Sequence, residues 1–345
     1  MPTHAEALKL VLDTLVDEKL GVIKSVDEIE AVGHRVLHGG DKLSGSLLVT
    51  EEVKRVIEEC CDLGPLHNPA NLKGIIECEK IMNVPQIAVF DTGFHQTMPD
   101  YVYMYGLPYE YYEKYKIRRY GFHGTSHRYV SARAIDMLGR GAEGTKVVTC
   151  HLGNGASFAA VQDGKCFDTS MGVTPLEGIM MGTRCGSIDP AIIPYLMRKG
   201  EVTTADDIDK MMNKKSGMLG VTGKTSDNQE ISKLSASGDE RAQLVEKMYV
   251  HQMVKLVGGY IASMGGADAI VFTGGIGENS GDYRARVCEK LAYLGIKIDA
   301  EKNKVRGEEI DISTPDSKVR VYVIPTNEEL VIARDTLEIV NGLNK

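Results

Sequence analysis

Two apolar runs that each end in a glycine turn set the tightest limit on this fold. The first is Val147-Val148-Thr149-Cys150-His151-Leu152-Gly153-Asn154-Gly155-Ala156-Ser157, and the second is Ala269-Ile270-Val271-Phe272-Thr273-Gly274-Gly275-Ile276-Gly277-Glu278-Asn279-Ser280. Each reads as a buried strand that stops where side chains vanish. Glycine at such a bend lets backbone N–H groups approach an anion closely, and phosphate is the usual anion. Two such bends in one chain imply a polyphosphate ligand held from two sides.

With 345 residues the chain is long enough for about two domains. Its net charge of −8 argues against a nucleic-acid surface. An acidic protein that binds an anion must gather cations locally, so isolated arginines matter more than basic runs. The seven cysteines are odd in number and form no CxxC pair. They are expected to be reduced in a cytoplasmic protein, without disulfides or a zinc site. The opening Met1-Pro2-Thr3-His4-Ala5-Glu6 does not read as a signal peptide, and no apolar run approaches the ~18 residues of a membrane span.

Periodicity predicts a helix opening at Thr3, with Thr3 and Glu6 as a capping box and Leu8, Val11, Leu12 and Leu15 as its stripe. Residues 29–37 read as a strand, Thr50 caps a second helix, and Asn68-Pro69 starts a third. Residues 86–90 form a short buried strand that delivers Asp91 at its end. Residues 147–151, 157–161 and 165–168 form a β-meander through turns containing Asn154-Gly155 and Asp163-Gly164. A helix over 239–263 feeds the strand 269–273, then come a helix over 281–294, a strand over 319–324 and a last helix opened by Thr326. The two halves share an element order, except that no meander opens the first.

Gly223-Lys224-Thr225 is not a P-loop, because position 218 is Met where Gly is needed. Gly155-Ala156-Ser157 is not a nucleophile elbow, because it lies in a hairpin. Arg35 sits inside an apolar strand, either as a salt-bridged sheet arginine or as a fork for a carboxylate or phosphate. Arg184 lies between glycines in a loop, free to reach a ligand. Such a pair could clamp a transferring phosphoryl group. His123, flanked by glycine before a helix capped by Thr125 or Ser126, suits an anion, whereas His127 reads as structural. Asp91 is either a turn cap or a ligand contact. Glu329 completes a capping box with Thr326, which leaves Glu328 as a Mg²⁺ ligand or a partner for the helix dipole.

GHRVLHGG, PLHNPANL, FDTGFHQTMP, YGFHGTSH, HLGNGAS, DTSMGVTPLEG, MGTR, FTGGIGENS and PTNEEL follow one another in the order found in acetate kinases. Over essentially its whole length the chain resembles that family, which belongs to the acetate and sugar kinase, heat-shock chaperone and actin superfamily. The resemblance implies an α/β, two-lobe actin-like fold with duplicated ribonuclease H-like lobes, residues 1–93 with 329–345 forming one and 94–328 the other. It also implies reversible, direct in-line transfer of a phosphoryl group from ATP to acetate with Mg²⁺, giving acetyl phosphate and ADP, by a homodimer. Arg35 and Arg184 would flank the transferring group, His123 would hydrogen-bond it, and Asp91 would position substrate or Arg35. His67 would be a further active-site histidine, and Glu328 would help to hold Mg²⁺. His151, Leu152, Gly153, Asn154 and Gly155 would cradle the phosphates. Gly274, Gly275, Ile276, Gly277 and Glu278 would line the adenosine side. Leu37, Leu66, Phe122 and Pro175 would wall the methyl pocket, with Leu37 in place of the commoner Val.

Two departures from the family pattern stand out. Asp227-Asn228-Gln229 lacks an arginine common there, which weakens that nucleotide contact. The family opens with a strand and an Asn/Gly/Ser-rich turn followed by Lys; this chain begins beyond them. The expectation is therefore a first lobe lacking its opening hairpins, an exposed edge beside residues 29–37, and reduced activity. The alternatives are a silent nucleotide-binding or dimerising fragment, or a kinase for propionate or butyrate.

Overall fold

The computed structural model describes residues 4–65 and 67–343. It divides into two compact units, Met1–Gln96 with Asn327–Lys345, and Thr97–Thr326.

In the first unit, α1 (His4–Leu15) sets Leu8, Leu12 and Leu15 against Cys78 and Met82, but Val11 points outward at 54% exposure. The Thr3 cap lies outside the described residues. Strand β1 (Val32–Val36) is followed by β2 (Ser46–Leu48), α2 (Glu51–Glu59), α3 (Asn68–Ile81) and β3 (Gln86–Phe90). Thr50 caps α2 by accepting the Val53 N–H, as its sequence implies, and Val53, Val56 and Ile57 turn inward. Strand β3 is buried throughout and central, parallel to β1 and antiparallel to β2. Among the described residues β1 pairs with β3 alone and stands at the sheet edge. The C-terminal helix Glu328–Leu343 lies so close to β1 that a Cβ at Gly33 would come 2.4 Å from Ile332, hence the glycine. Its cap is Asn327, whose Oδ1 accepts the Leu330 N–H at 3.0 Å. This corrects the expected box, in which Thr326 was the cap and Glu329 its partner.

The second unit opens with α4 (Asp100–Tyr103), α5 (Tyr109–Tyr115) and α6 (Gly124–Leu138). The expected meander follows: β4 (Lys146–Leu152), β5 (Ala156–Gln162) and β6 (Lys165–Thr169), all antiparallel. Its second turn places Asp163 and Gly164 at φ of 53° and 73°, the left-handed pair that a two-residue hairpin requires. Then come α7 (Ile192–Lys199), α8 (Ala205–Lys214), α9 (Gly217–Thr222), α10 (Asn228–Ala236) and α11 (Glu240–Ser263). Strand β7 (Ala269–Thr273) leads into α12 (Gly274–Asn279), and α13 (Gly281–Lys290) stops four residues before the expected end. Strands β8 (Ile310–Asp311) and β9 (Arg320–Val323) complete a sheet ordered β6-β5-β4-β7-β9-β8. The central β4, β7 and β9 are parallel. Because His151 pairs with Thr273, the glycine turns after β4 and β7 emerge side by side at the carboxyl ends of neighbouring strands. Among the described residues no helix is long and apolar enough to cross a membrane, and all seven cysteines are free thiols.

Candidate active site

The two glycine turns open onto a cleft of about 690 Å³ that lies within the second unit. Of the residues expected at the nucleotide, Gly153, Asn154, Asp227, Asn228, Gln229, Gly275 and Ile276 line it. The others take different places. Leu152 is fully buried at the strand end, and His151 is turned into the histidine cluster described below. Gly274 reverses the chain at a φ of 76°, where a Cβ would strike the Leu152 carbonyl at 2.8 Å. Gly277 packs against the Phe272 backbone. One carboxylate oxygen of Glu278 accepts N–H bonds from Gly274 at 2.8 Å and Thr326 at 3.3 Å, so it ties α12 to the chain after β9.

Sequence reading missed Lys233 and Arg306, two exposed cations on the cleft wall. Lys233 follows Gln229 by four residues on α10, a spacing that puts both on one helix face. Asp227 caps that helix by accepting the Glu230 N–H at 2.9 Å, and Asn228 accepts the Tyr283 hydroxyl at 3.0 Å. Arg284 was also missed. It is buried and donates to five oxygens, those of Gly277, Glu278 and Val305 and both oxygens of Asn303. Burial pulls its pKa down to about 10. It is a cation set on neutral acceptors, two of them carbonyls near the C-terminal end of α12, where the helix dipole favours positive charge.

Beside Gly155 the second unit assembles charge and imidazole. A Cβ at Gly155 would lie 2.8 Å from Arg184 Nη2 and 3.2 Å from His123 Nε2. Glycine here makes room for side chains rather than for backbone, since its φ is ordinary. Arg184 is half-buried, and Nη1 donates to the Pro175 carbonyl. Among the described residues it has no carboxylate partner, and burial pulls its pKa below the usual guanidinium value. A half-buried cation without a counterion is poised for an anionic ligand. His123, not Thr125 or Ser126, occupies the cap position of α6, in a left-handed conformation at φ 55°. Its ring stacks on His151, with centroids 4.2 Å apart, and Nδ1 lies 2.7 Å from Ser157 Oγ. Phe122 is buried beside it in sequence.

In the first unit Arg35 grips Asp91 with both prongs, Nε to Oδ1 at 2.8 Å and Nη2 to Oδ2 at 2.6 Å. The fork holds the guanidinium above its ordinary pKa, with Glu328 adding a smaller push. Asp91 is fully buried while the Arg35 side chain is 49% exposed. Arg35 is thus a salt-bridged sheet arginine whose outer part still faces water. Each carboxylate oxygen of Asp91 accepts one hydrogen bond from Arg35. Leu37 is buried, with its N–H on Asn71, and His67 is exposed at the start of α3 without capping it. Leu66 lies outside the described residues. Glu328 opens the C-terminal helix and is partly buried. Among the described residues no three His, Cys, Asp or Glu side chains form a metal cage.

The family model for the acetokinase family matches residues 1–334. The chain belongs to the acetokinase family. It is 58% identical to an acetate kinase of Methanosarcina acetivorans over 340 residues, 98% of this chain and 83% of that protein. Among solved structures it is similar to Porphyromonas gingivalis acetate kinase, with TM-score 0.94, 51% identity and coverage of 99% and 86% of the two chains. It is also similar to a propionate kinase from Francisella tularensis, with TM-score 0.90, 44% identity and coverage of 97% and 85%. The fold is the mixed α/β acetate-kinase fold of the actin-like superfamily. Membership of that family makes the chain an ATP-binding kinase whose acceptor is a carboxyl group.

Proposed function

We propose that the chain transfers a phosphoryl group reversibly between ATP and acetate, giving acetyl phosphate and ADP. The observation that carries this reading is Arg184 and His123 against Gly155, next to a cleft entered by two glycine turns. A carboxylate is already a nucleophile, so no strong base is needed. Positioning and charge stabilisation supply most of the acceleration. The cleft takes the nucleotide, with Gly153, Asn154, Gly275 and Ile276 near its phosphates and sugar. Arg184 meets the negative charge that builds on the equatorial oxygens, and His123 donates a hydrogen bond to the same group. By the family resemblance Arg35, gripped by Asp91, is the further arginine of the transfer.

By the family resemblance Glu328 would help to hold the Mg²⁺ that accompanies ATP. A single carboxylate suits an ion that keeps most of its shell as water and phosphate oxygen. When bound it neutralises phosphate charge and orients the leaving group. Leu37, Leu66, Phe122 and Pro175 are assigned to the methyl group. One methylene in such a pocket is worth only ~1–3 kcal/mol, so propionate is a natural second substrate. The working form is a cytoplasmic homodimer joined through the second unit, where Leu107, Ile188, Ile192, Tyr195 and Met197 are exposed.

Purified chain with ATP, Mg²⁺ and acetate should accumulate acyl phosphate, trapped as the hydroxamate. Propionate should be slower and butyrate slower still. Nucleotide binding without acyl phosphate would sink the reading and favour a silent nucleotide-binding protein. Light scattering at two concentrations tests the dimer.

A further inference from the structure

The segment that delivers His123 also grips the loop that holds Arg184. Arg184 Nη1 donates to the carbonyl of Pro175, which stands in the chain between β6 and α7. On one side of Pro175, the Gly172 carbonyl accepts the N–H groups of Tyr120 at 3.0 Å and Gly121 at 3.3 Å. On the other side, one carboxylate oxygen of Glu177 accepts Arg119 Nη2 at 2.6 Å and the second accepts the Tyr105 hydroxyl at 2.5 Å. Residues 119–121 thus hold the loop on both flanks of Pro175, two residues before His123. Beyond Glu177 the loop closes on itself. Gly178 N–H donates to Ser187 Oγ at 3.1 Å, Ser187 N–H returns to the Gly178 carbonyl at 2.8 Å, and Met181 N–H donates to the Arg184 carbonyl at 2.9 Å.

Arg119 is anchored independently of this clamp. Its Nη1 donates to the carbonyls of Thr169, Ser170 and Met171 at 2.9, 3.1 and 3.2 Å, and its N–H donates to the Tyr103 carbonyl at 2.7 Å. The Arg119 and Glu177 side chains are only 17% and 33% exposed, so their charge-assisted bond is partly shielded from water. The fit around it is close. A Cβ at Gly172 would lie 2.2 Å from Tyr105 Oη and 2.3 Å from Glu177 Oε2, so glycine there makes room for the clamp. Only Leu176 separates Glu177 from Pro175, whose ring removes a free dihedral on the other side. Fixing the Glu177 carboxylate therefore leaves the Pro175 carbonyl little freedom.

We infer that Glu177 is a positioning residue: clamped by Arg119 and Tyr105, it holds the Pro175 carbonyl where that carbonyl fixes the Arg184 guanidinium beside His123. The catalytic part rests on the proposed role of Arg184, whereas the placement of its guanidinium does not. Residues 119–123 are the frame, since without Glu177 the three carbonyls still hold Arg119, and Ser157 and His151 still hold the His123 ring. The loop is the part that moves.

Glu177→Ala should lower kcat about 10²-fold, the usual effect of misplacing a reacting partner by an ångström, with KM for ATP nearly unchanged. Glu177→Gln, whose side-chain oxygen still accepts from Arg119, should recover most of that loss. In an Arg184→Ala background, Glu177→Ala should cost less than about twofold, because a group that acts through Arg184 has nothing left to place. A loss that stays near 10²-fold in that background would overturn the inference and leave Glu177 a structural residue. Nitrogen-15 NMR of arginine-labelled protein reads the placement without turnover. Arg184, assigned by its absence from the Arg184→Ala spectrum, should show resolved Nη protons in the wild type and averaged ones in Glu177→Ala. Resolved Nη protons in Glu177→Ala, or averaged ones in the wild type, would overturn the inference whatever the assay shows. A wild type without turnover would sink the reading of function and leave this spectrum to decide. If Glu177→Ala does not fold, Gly172→Ala takes its place in both measurements, because its methyl group presses on the same two side chains.

Discussion

At the scale of single residues, Gly155 and Arg184 make the sharpest demands. A methyl group on Gly155 would overlap the far end of the Arg184 side chain, which can swing away, so the fold should tolerate it. The cost falls on geometry. Gly155→Ala should leave the melting temperature nearly unchanged and lower kcat by about 10²-fold, the usual effect of misplacing a reacting partner by an ångström. Arg184→Ala removes the guanidinium itself. An arginine that stabilises phosphoryl-transfer charge is worth about 10³–10⁵ in kcat, so a loss of at least about 10³-fold is expected. Thermal unfolding should move little, because among the described residues the hydrogen bond broken is the one to the Pro175 carbonyl. A large fall in melting temperature with modest kinetic change would show both residues to be structural.

Secondary-structure elements carry a different kind of prediction and show what sequence can disclose. Helix α8 starts with a capping box, in which the Asp207 carboxylate takes bonds from the Thr203 hydroxyl and amide and from the Thr204 amide, while the Thr204 hydroxyl accepts the Asp207 N–H. These bonds, those from Thr203 first, pull its pKa down to about 2. A depressed carboxyl stabilises the fold above its unfolded pKa of ~3.9 and loses that contribution as pH falls through the folded value. The stability gap between wild type and Asp207→Asn should therefore be full at pH 6 and narrow from about pH 4 toward pH 2, as read by thermal midpoints. A gap that widens on acidification would refute this. Strands β3, β4, β5 and β7 were legible because each is an unbroken apolar run, and the Asp163-Gly164 turn because its residues tolerate positive φ. Helices α7 to α10 were not, being short and separated by loops with no long periodic run. Strands β2 and β8, of three and two residues, exist only through their pairing. The start of α6 depends on a left-handed His123, and the start of the C-terminal helix on Asn327 rather than Thr326; both choices are made by tertiary packing. Arg284 was invisible for a related reason, since its partners are four backbone oxygens and one side-chain amide oxygen that no motif announces.

For the whole molecule, the division of labour between the two units is testable. Every residue that lines the cleft belongs to the second unit. Arg35, Asp91, Leu37 and Glu328 belong to the first. Binding of ADP should therefore be separable from turnover by mutation. Arg35→Ala leaves the cleft lining untouched, so ADP affinity by calorimetry should stay within about twofold while kcat falls by about 10³-fold or more. The complementary variant is Gly275→Val. A Cβ at Gly275 meets open space, and this glycine has no positive φ to strain, so the added side chain projects without clash beside the cleft it lines. It should fold normally and lose at least about tenfold in ADP affinity, since displacing even one well-placed contact costs about 1.4 kcal/mol. If Arg35→Ala abolished ADP binding, or Gly275→Val bound ADP as tightly as wild type, the glycine turns would not be the nucleotide cradle. The two results are independent, because one variant tests the charge supplied by the first unit and the other the shape supplied by the second.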